Sequence, residues 1–151
     1  MSTLTEKVAL VTGGSRGIGA AIAKRLAKDG ASVAITYAKD ASAASAVVKA
    51  IQSNGGKAVA IQADAADVEA VKSAVEKTVA TFGRLDVLVN NAGTAIPKTF
   101  EETTLEEINR VIDINVRGKT LGDCCANAAR AARNERGLSI QLLIHRLLLF
   151  L

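Results

Sequence analysis

Short apolar runs alternate with segments of helical spacing along most of this chain, and that alternation leaves few folds open. Residues 7–12 (KVALVT), Ser32–Tyr37 (SVAITY), Lys57–Gln62 (KAVAIQ) and residues 85–89 (LDVLV) read as strands buried on both faces. Ile18, Ile22 and Leu26 give the first intervening segment an apolar face, with Gly30 just past its end. Ala44, Val47, Val48 and Ile51 give a second helix, stopped at Asn54-Gly55-Gly56. Asp67 is the expected N-cap of a third, which carries Val68, Val71, Val75, Val79 and Phe82 and ends at Gly83. Thr104 is placed to cap a fourth through Leu105, Ile108 and Ile112, with Glu107 at capping-box spacing. Strands joined through helices pair in parallel, so the expected fold is α/β, a doubly wound parallel sheet of four to five strands.

Composition agrees with one such domain. The 151 residues are 49% hydrophobic and 23% charged, enough for a core, and only 3% aromatic, which argues against a base-stacking surface. The net charge of +4 invites a nucleic-acid reading, but residues 1–118 carry 14 basic and 13 acidic side chains. Residues 119–151 carry 5 and 2, so the excess sits at the end of the chain and forms no basic stripe. No nucleic-acid partner is expected. Cys124 and Cys125 are adjacent, with no C-x-x-C pair, and the single His145 lacks companion ligands, so no metal site is expected. No basic-then-apolar leader opens the chain and no run reaches the about 18 apolar residues of a membrane span. The expected setting is the cytoplasm, away from membranes.

The texture changes near residue 118. Fourteen valines precede it and none follow. The remainder is rich in Ala and Arg, then in Leu, with ten of the last fourteen residues apolar. Residues 1–118 thus read as the folded unit and 119–151 as a divergent tail. That tail is either an Ala-rich helix followed by one buried strand or helix, or a segment not selected with the rest. Its apolar end is a candidate surface for self-association.

The octapeptide Thr12-Gly13-Gly14-Ser15-Arg16-Gly17-Ile18-Gly19 stands between the first strand and the first helix. Glycines allow a sharp turn and close approach of backbone amides to a phosphate, and a helix N-terminus adds positive potential. A tight strand-helix turn without a ligand is the other reading. The spacing Gly-x-x-x-Gly-x-Gly is no P-loop, because no Lys-Ser or Lys-Thr follows the glycines.

Thr-Gly-x-x-x-Gly-Ile-Gly, Asp64 after the third strand, Asn90-Asn91-Ala92-Gly93 after the fourth and Asn115 in Asp-Ile-Asn-Val-Arg-Gly come in one order at strand ends. Together they resemble the classical short-chain dehydrogenase/reductase family over residues 5–118, with a general texture similar to its 3-oxoacyl-carrier-protein reductases. The resemblance implies a Rossmann-type sheet, a nicotinamide dinucleotide, a small-molecule carbonyl or alcohol substrate, and a homo-oligomer. It implies that Gly13, Gly17, Ile18 and Gly19 form the pyrophosphate turn, with Ser15 and Arg16 beside the adenosine phosphates. Asp64, with the Ala65 backbone, would meet the adenine amino group, or be a plain surface carboxylate. Asn90, Ala92 and Gly93 would lie along the ribose. Asn115 would belong to the family's Asn-Ser-Tyr-Lys tetrad, or be a polar residue that kinks its helix.

Cofactor choice turns on the end of the second strand, where an acid would bind both ribose hydroxyls and repel a 2′-phosphate. Tyr37 holds that place, Lys39 follows, and Arg16 offers a planar fork of donors, while Asp40 is a competing acid three residues on. The balance favours NADP over NAD. The family's proton-transfer chemistry needs a Tyr with a Lys four residues later, yet the only tyrosine is Tyr37 and position 41 is Ala41. Ser139 is the sole serine after residue 118. The fifth to seventh strands, which would carry the substrate pocket, are not evident. The resemblance therefore implies an NADP-dependent oxidoreductase of which this chain holds the cofactor-binding half. The alternative is a non-catalytic truncated or frameshifted product, at most a dinucleotide-binding module.

Overall fold

The computed structural model describes residues 4–99, 101–120, 125 and 141–142. Its elements run β1 (Val8–Val11), α1 (Gly17–Lys28), β2 (Ser32–Tyr37), α2 (Ala41–Ser53), β3 (Lys57–Gln62), α3 (Val68–Phe82), β4 (Val87–Val89), α4 (Leu105–Ile112) and β5 (Gln141–Leu142). The sheet order is β3-β2-β1-β4-β5, and every neighbouring pair is parallel. The chain winds outward from β1 through β2 to β3, then returns to lay β4 on the other side of β1. That reversal opens a crevice beyond the carboxyl ends of β1 and β4, where ligands of such sheets bind.

Alternation of side chains along each strand builds the two faces. Val11, Val33 and Ile35 point to one layer with Ala20, Ala23, Val47 and Ile51 of α1 and α2. Leu10, Ala34 and Ile61 point to the other with Ala74 and Val75 of α3. The expected caps are present. The Asp67 side chain accepts from the amides of Glu69 (2.9 Å) and Ala70 (3.2 Å), Gly83 ends α3 at φ 87°, and Thr104 and Glu107 form the full capping box.

One expectation needs correction. Ile22 and Leu26 pack against the core as expected, but Ile18 does not: it is 51% exposed, and the fully buried residues of α1 are Gly19, Ala20 and Ala23. Small residues let the helix backbone approach the sheet closely, which a pattern weighted by large side chains does not anticipate. On α4, Leu105 and Ile112 are 73% and 39% exposed while Ile108 is half-buried. The fifth strand that an expectation of four to five left open is present. Gln141–Leu142 pairs with Leu88–Val89 and gives β4 a neighbour on its outer side. The chain beyond residue 118 also reaches the core at Cys125, which packs against the α3-side cluster. Cys124, Ser139, His145 and the apolar run over 143–151 lie outside the described residues. No helix among the described residues is long and apolar enough to cross a membrane.

Asp86, just before β4, secures the amino-terminal end of the sheet. Its Oδ2 accepts from the Val8 amide and Arg84 Nε, both at 2.9 Å, its Oδ1 accepts from Arg84 Nη2 at 2.7 Å, and Lys7 Nζ stands 3.6 Å away. Burial pushes this carboxyl up, but the Arg84 and Val8 hydrogen bonds and the Arg84 and Lys7 charges outweigh it and hold it below the ordinary carboxylate value. A depressed folded-state value means the stabilisation is complete above the unfolded value and is lost as the pH falls through the folded one. Asp86→Ala should cost about 1–3 kcal/mol at pH 7. Thermal melts should show the gap between variant and parent narrowing in acid; a gap that does not change with pH would contradict this account.

Candidate functional site

The turn from β1 into α1 is pinned from both sides. Gly13, at φ 64°, donates its amide to Thr36 Oγ1 on β2 (3.1 Å), and the Gly14 amide donates to the Thr36 carbonyl (2.9 Å). On the β4 side, Thr12 Oγ1 accepts from the amides of Asn91 and Ala92, each at 3.0 Å. Asn91 Nδ2 donates back to the carbonyls of Thr12 (2.9 Å) and Gly13 (3.1 Å). Three strand ends are thereby laced into one rigid rim.

The rim presents an open helix N-terminus. Arg16 is the N-cap of α1 in extended conformation without a side-chain capping bond, and no acidic residue occupies the first turn. Gly17 follows at φ 53°, and a Cβ built there meets nothing within 4 Å. Arg16, Gly17 and Ile18 are exposed and Ser15 is half-buried. A helix start with no capping side chain and no acid in its first turn, beside empty space, has the chemistry of an anion site. Gly19 has the opposite role, since a Cβ there would come within 2.4 Å of the Gly13 carbonyl oxygen.

At the end of β3, Asp64 is held by two donors: the Ala66 amide on Oδ1 and Arg110 Nη2 on Oδ2, both at 3.0 Å. The Ala66 bond lowers this carboxyl; burial opposes it, and Arg110 and the Lys39 charge lower it further, so it stays ionised and can only accept. Tyr37 is half-buried at the end of β2 and Lys39 is exposed beyond it. Asp40 is the N-cap of α2, its Oδ1 accepting from the Ala43 amide at 2.8 Å. The competing acid noted in the sequence is thus committed to a helix.

On the β4 side, Asn90 is buried, Ala92 half-buried and Gly93 exposed. Helix α4 widens into a π-helical turn over Asp113–Arg117, and Asn115 lies within it. Its Oδ1 accepts from the Thr94 amide (3.0 Å) and its Nδ2 donates to the Thr94 carbonyl (2.8 Å), so it clasps the loop after β4. Such turns recur at functional sites. The π geometry also supports the kinked-helix reading. The residues singled out from Gly13 to Asn115 stand at the carboxyl ends of β1 to β4, in the turns that follow them, at the start of α1 or in the π-helical turn after α4. Sequence reasoning missed Thr36 and Arg110, whose partners lie 23 and 46 residues away. It also missed the close approach at Gly118, where a Cβ would come 2.1 Å from the Ala65 carbonyl oxygen. Thr36 and Arg110 carry no local signature, whereas Gly118 closes the Asp-Ile-Asn-Val-Arg-Gly segment and only its contact is new.

A parallel sheet reversing at β1 and β4, with a glycine turn and an open helix start at the reversal, defines a doubly wound α/β protein with a crevice at its switch point. The chain belongs to the short chain dehydrogenase family, whose model matches residues 7–140 and so continues past the change of texture at 118. It is 52% identical over 127 residues to an uncharacterized oxidoreductase of Methylorubrum extorquens, covering 84% of this chain and 51% of that one. It is 47% identical over 118 residues to a 3-oxoacyl-[acyl-carrier-protein] reductase of Synechocystis, covering 78% and 48%. A short chain dehydrogenase from Burkholderia cenocepacia, solved in complex with NADP, superposes with a TM-score of 0.81 at 52% identity, over 83% of this chain and 51% of that one. The chain spans about half the length of these relatives.

Proposed function

We propose that this chain binds NADP(H) in the crevice and forms the cofactor-binding half of an oxidoreductase acting on a small carbonyl or alcohol, with residues 1–118 as the binding unit. The uncapped start of α1, bordered by the open space at Gly17 and by exposed Arg16, carries the reading. Backbone amides from Gly13 to Gly19 would hold the pyrophosphate, Ser15 and Arg16 the adenosine phosphates, and Asp64 with Ala65 the adenine. Asn90, Ala92 and Gly93 would line the ribose, and Asn115 would act from α4 on the loop that carries them. The bound cofactor supplies or takes the hydride; this chain's residues bind and orient it.

The preference for NADP rests on what surrounds the ribose. Tyr37 occupies the acid position, Asp40 is spent as a cap, and Arg16 can meet a 2′-phosphate bidentately. The complex of the Burkholderia relative with NADP supports the same choice. One charge-assisted contact contributes about 1.5–3 kcal/mol, a preference of about ten- to a hundredfold. Calorimetric titration should show NADP(H) binding tighter than NAD(H) by that factor, with Arg16→Ala erasing most of the difference. Equal or stronger NAD binding by the parent chain would reject the assignment.

A further inference from the structure

We propose that Arg110 is a positioning residue for the nucleobase end of this site, acting through Asp64. The inference rests on the dinucleotide reading above. Arg110 stands on α4, far in sequence from Asp64, yet its Nη2 lies 3.0 Å from Asp64 Oδ2 while the Ala66 amide lies 3.0 Å from Oδ1. Among the described residues each oxygen takes one donor, which leaves it a second acceptor position, since a carboxylate offers about four. The two donors fix the plane of the carboxylate, so the remaining acceptor positions point in set directions. Without Arg110 one backbone bond remains, and the carboxylate can turn about its side-chain torsions.

A second contact makes α4 a brace rather than a chance neighbour. The segment running on from α4 lies against the residue after Asp64, so closely that a Cβ on Gly118 would sit 2.1 Å from the Ala65 carbonyl oxygen. Between these contacts, Asn115 clasps Thr94 on the other side of the crevice. One helical segment therefore ties down both the 64–66 turn and the loop after β4. The ion pair itself is exposed, with side chains 53% and 36% accessible, so it adds little to folding stability. Its consequence falls on where an acceptor is presented.

An ionised, fixed acceptor selects a base that donates at that point. Adenine offers an exocyclic amine; hypoxanthine offers a carbonyl oxygen there, which the carboxylate repels. The test is calorimetric titration of the full chain and its Arg110→Ala, Arg110→Lys and Asp64→Asn variants with NADP and with its hypoxanthine analogue. The parent chain should prefer NADP by about tenfold. Arg110→Ala should weaken NADP several-fold, leave the analogue unchanged and bring the ratio towards one, with a melting temperature near the parent's. Arg110→Lys should restore part of the ratio, and Asp64→Asn should abolish it. A parent that binds NADP while Arg110→Ala weakens both ligands equally, or neither, overturns the role of Arg110 alone. A parent that binds neither ligand overturns the dinucleotide reading and this inference with it.

Discussion

Purified as its 151 residues, this chain is expected to bind NADPH and leave ketones unreduced. Hydride addition to a carbonyl builds negative charge on oxygen, and a positioned proton donor contributes about 10²–10⁴ in rate. The family's donor is a tyrosine whose acidity is tuned by a lysine four residues on, and no such pair occurs in this sequence. Tyr37 cannot substitute. It ends β2, its carbonyl accepts from the Ala63 amide, and the fourth residue on is Ala41, the first of α2. Asn115, by contrast, clasps the loop after β4, and the sheet order puts β1 between β2 and β4. A proton held at Tyr37 therefore sits two strands away from the strand whose following loop Asn115 clasps. Oxidation of NADPH, followed by absorbance against a panel of ketones, should match the no-protein background. Turnover that survives stringent purification and vanishes in Asn115→Ala would overturn this expectation.

How legible the molecule was depends on how local each determinant is. The bounds of β2 and β3 agree with expectation because each is a short apolar run punctuated by glycine or polar residues within a few positions. The caps at Asp67 and Thr104 were legible for the same reason, since donor and acceptor lie two or three residues apart. The buried face of α1 was legible only in part. Hydrophobic periodicity weighs Ile18 above Gly19, Ala20 and Ala23, whereas close packing against the sheet selects the small residues. Strand β5 was left open between helix and strand because the Leu-rich segment around it shows neither period. In the site, the glycine turn and the Asn90–Gly93 loop were visible as motifs. The bonds that lock them, from Thr36 and Asn91, and the arginine that fixes Asp64 come from chain segments brought together only by the fold.

Two glycines in the same turn should fail in different ways when replaced by alanine. At Gly19 the new Cβ would lie 2.4 Å from the Gly13 carbonyl oxygen and 2.5 Å from Asn91 Nδ2, two atoms already hydrogen-bonded to each other. Neither can yield cheaply: Gly13 is tied to Thr36 through its amide, and Asn91 is tied to Thr12 through both its amide and its side chain. Overpacking costs about 1–3 kcal/mol and the broken hydrogen bond about 1 more. For a domain of this size that is a fall of about 5–15 °C in Tm, with cofactor binding lost along with the rim that supports it. At Gly17 the Cβ meets nothing, so the stability cost is confined to forcing alanine to φ 53°, about 1–2 kcal/mol. That methyl nevertheless stands in the open space assigned to the pyrophosphate. Gly17→Ala should therefore melt within a few degrees of the parent while binding NADP far more weakly, and Gly19→Ala should lose both properties. Calorimetric titration beside thermal melts separates the two. A Gly19→Ala chain as stable as the parent would refute the close contact, and a Gly17→Ala chain that binds NADP like the parent would place the phosphates elsewhere.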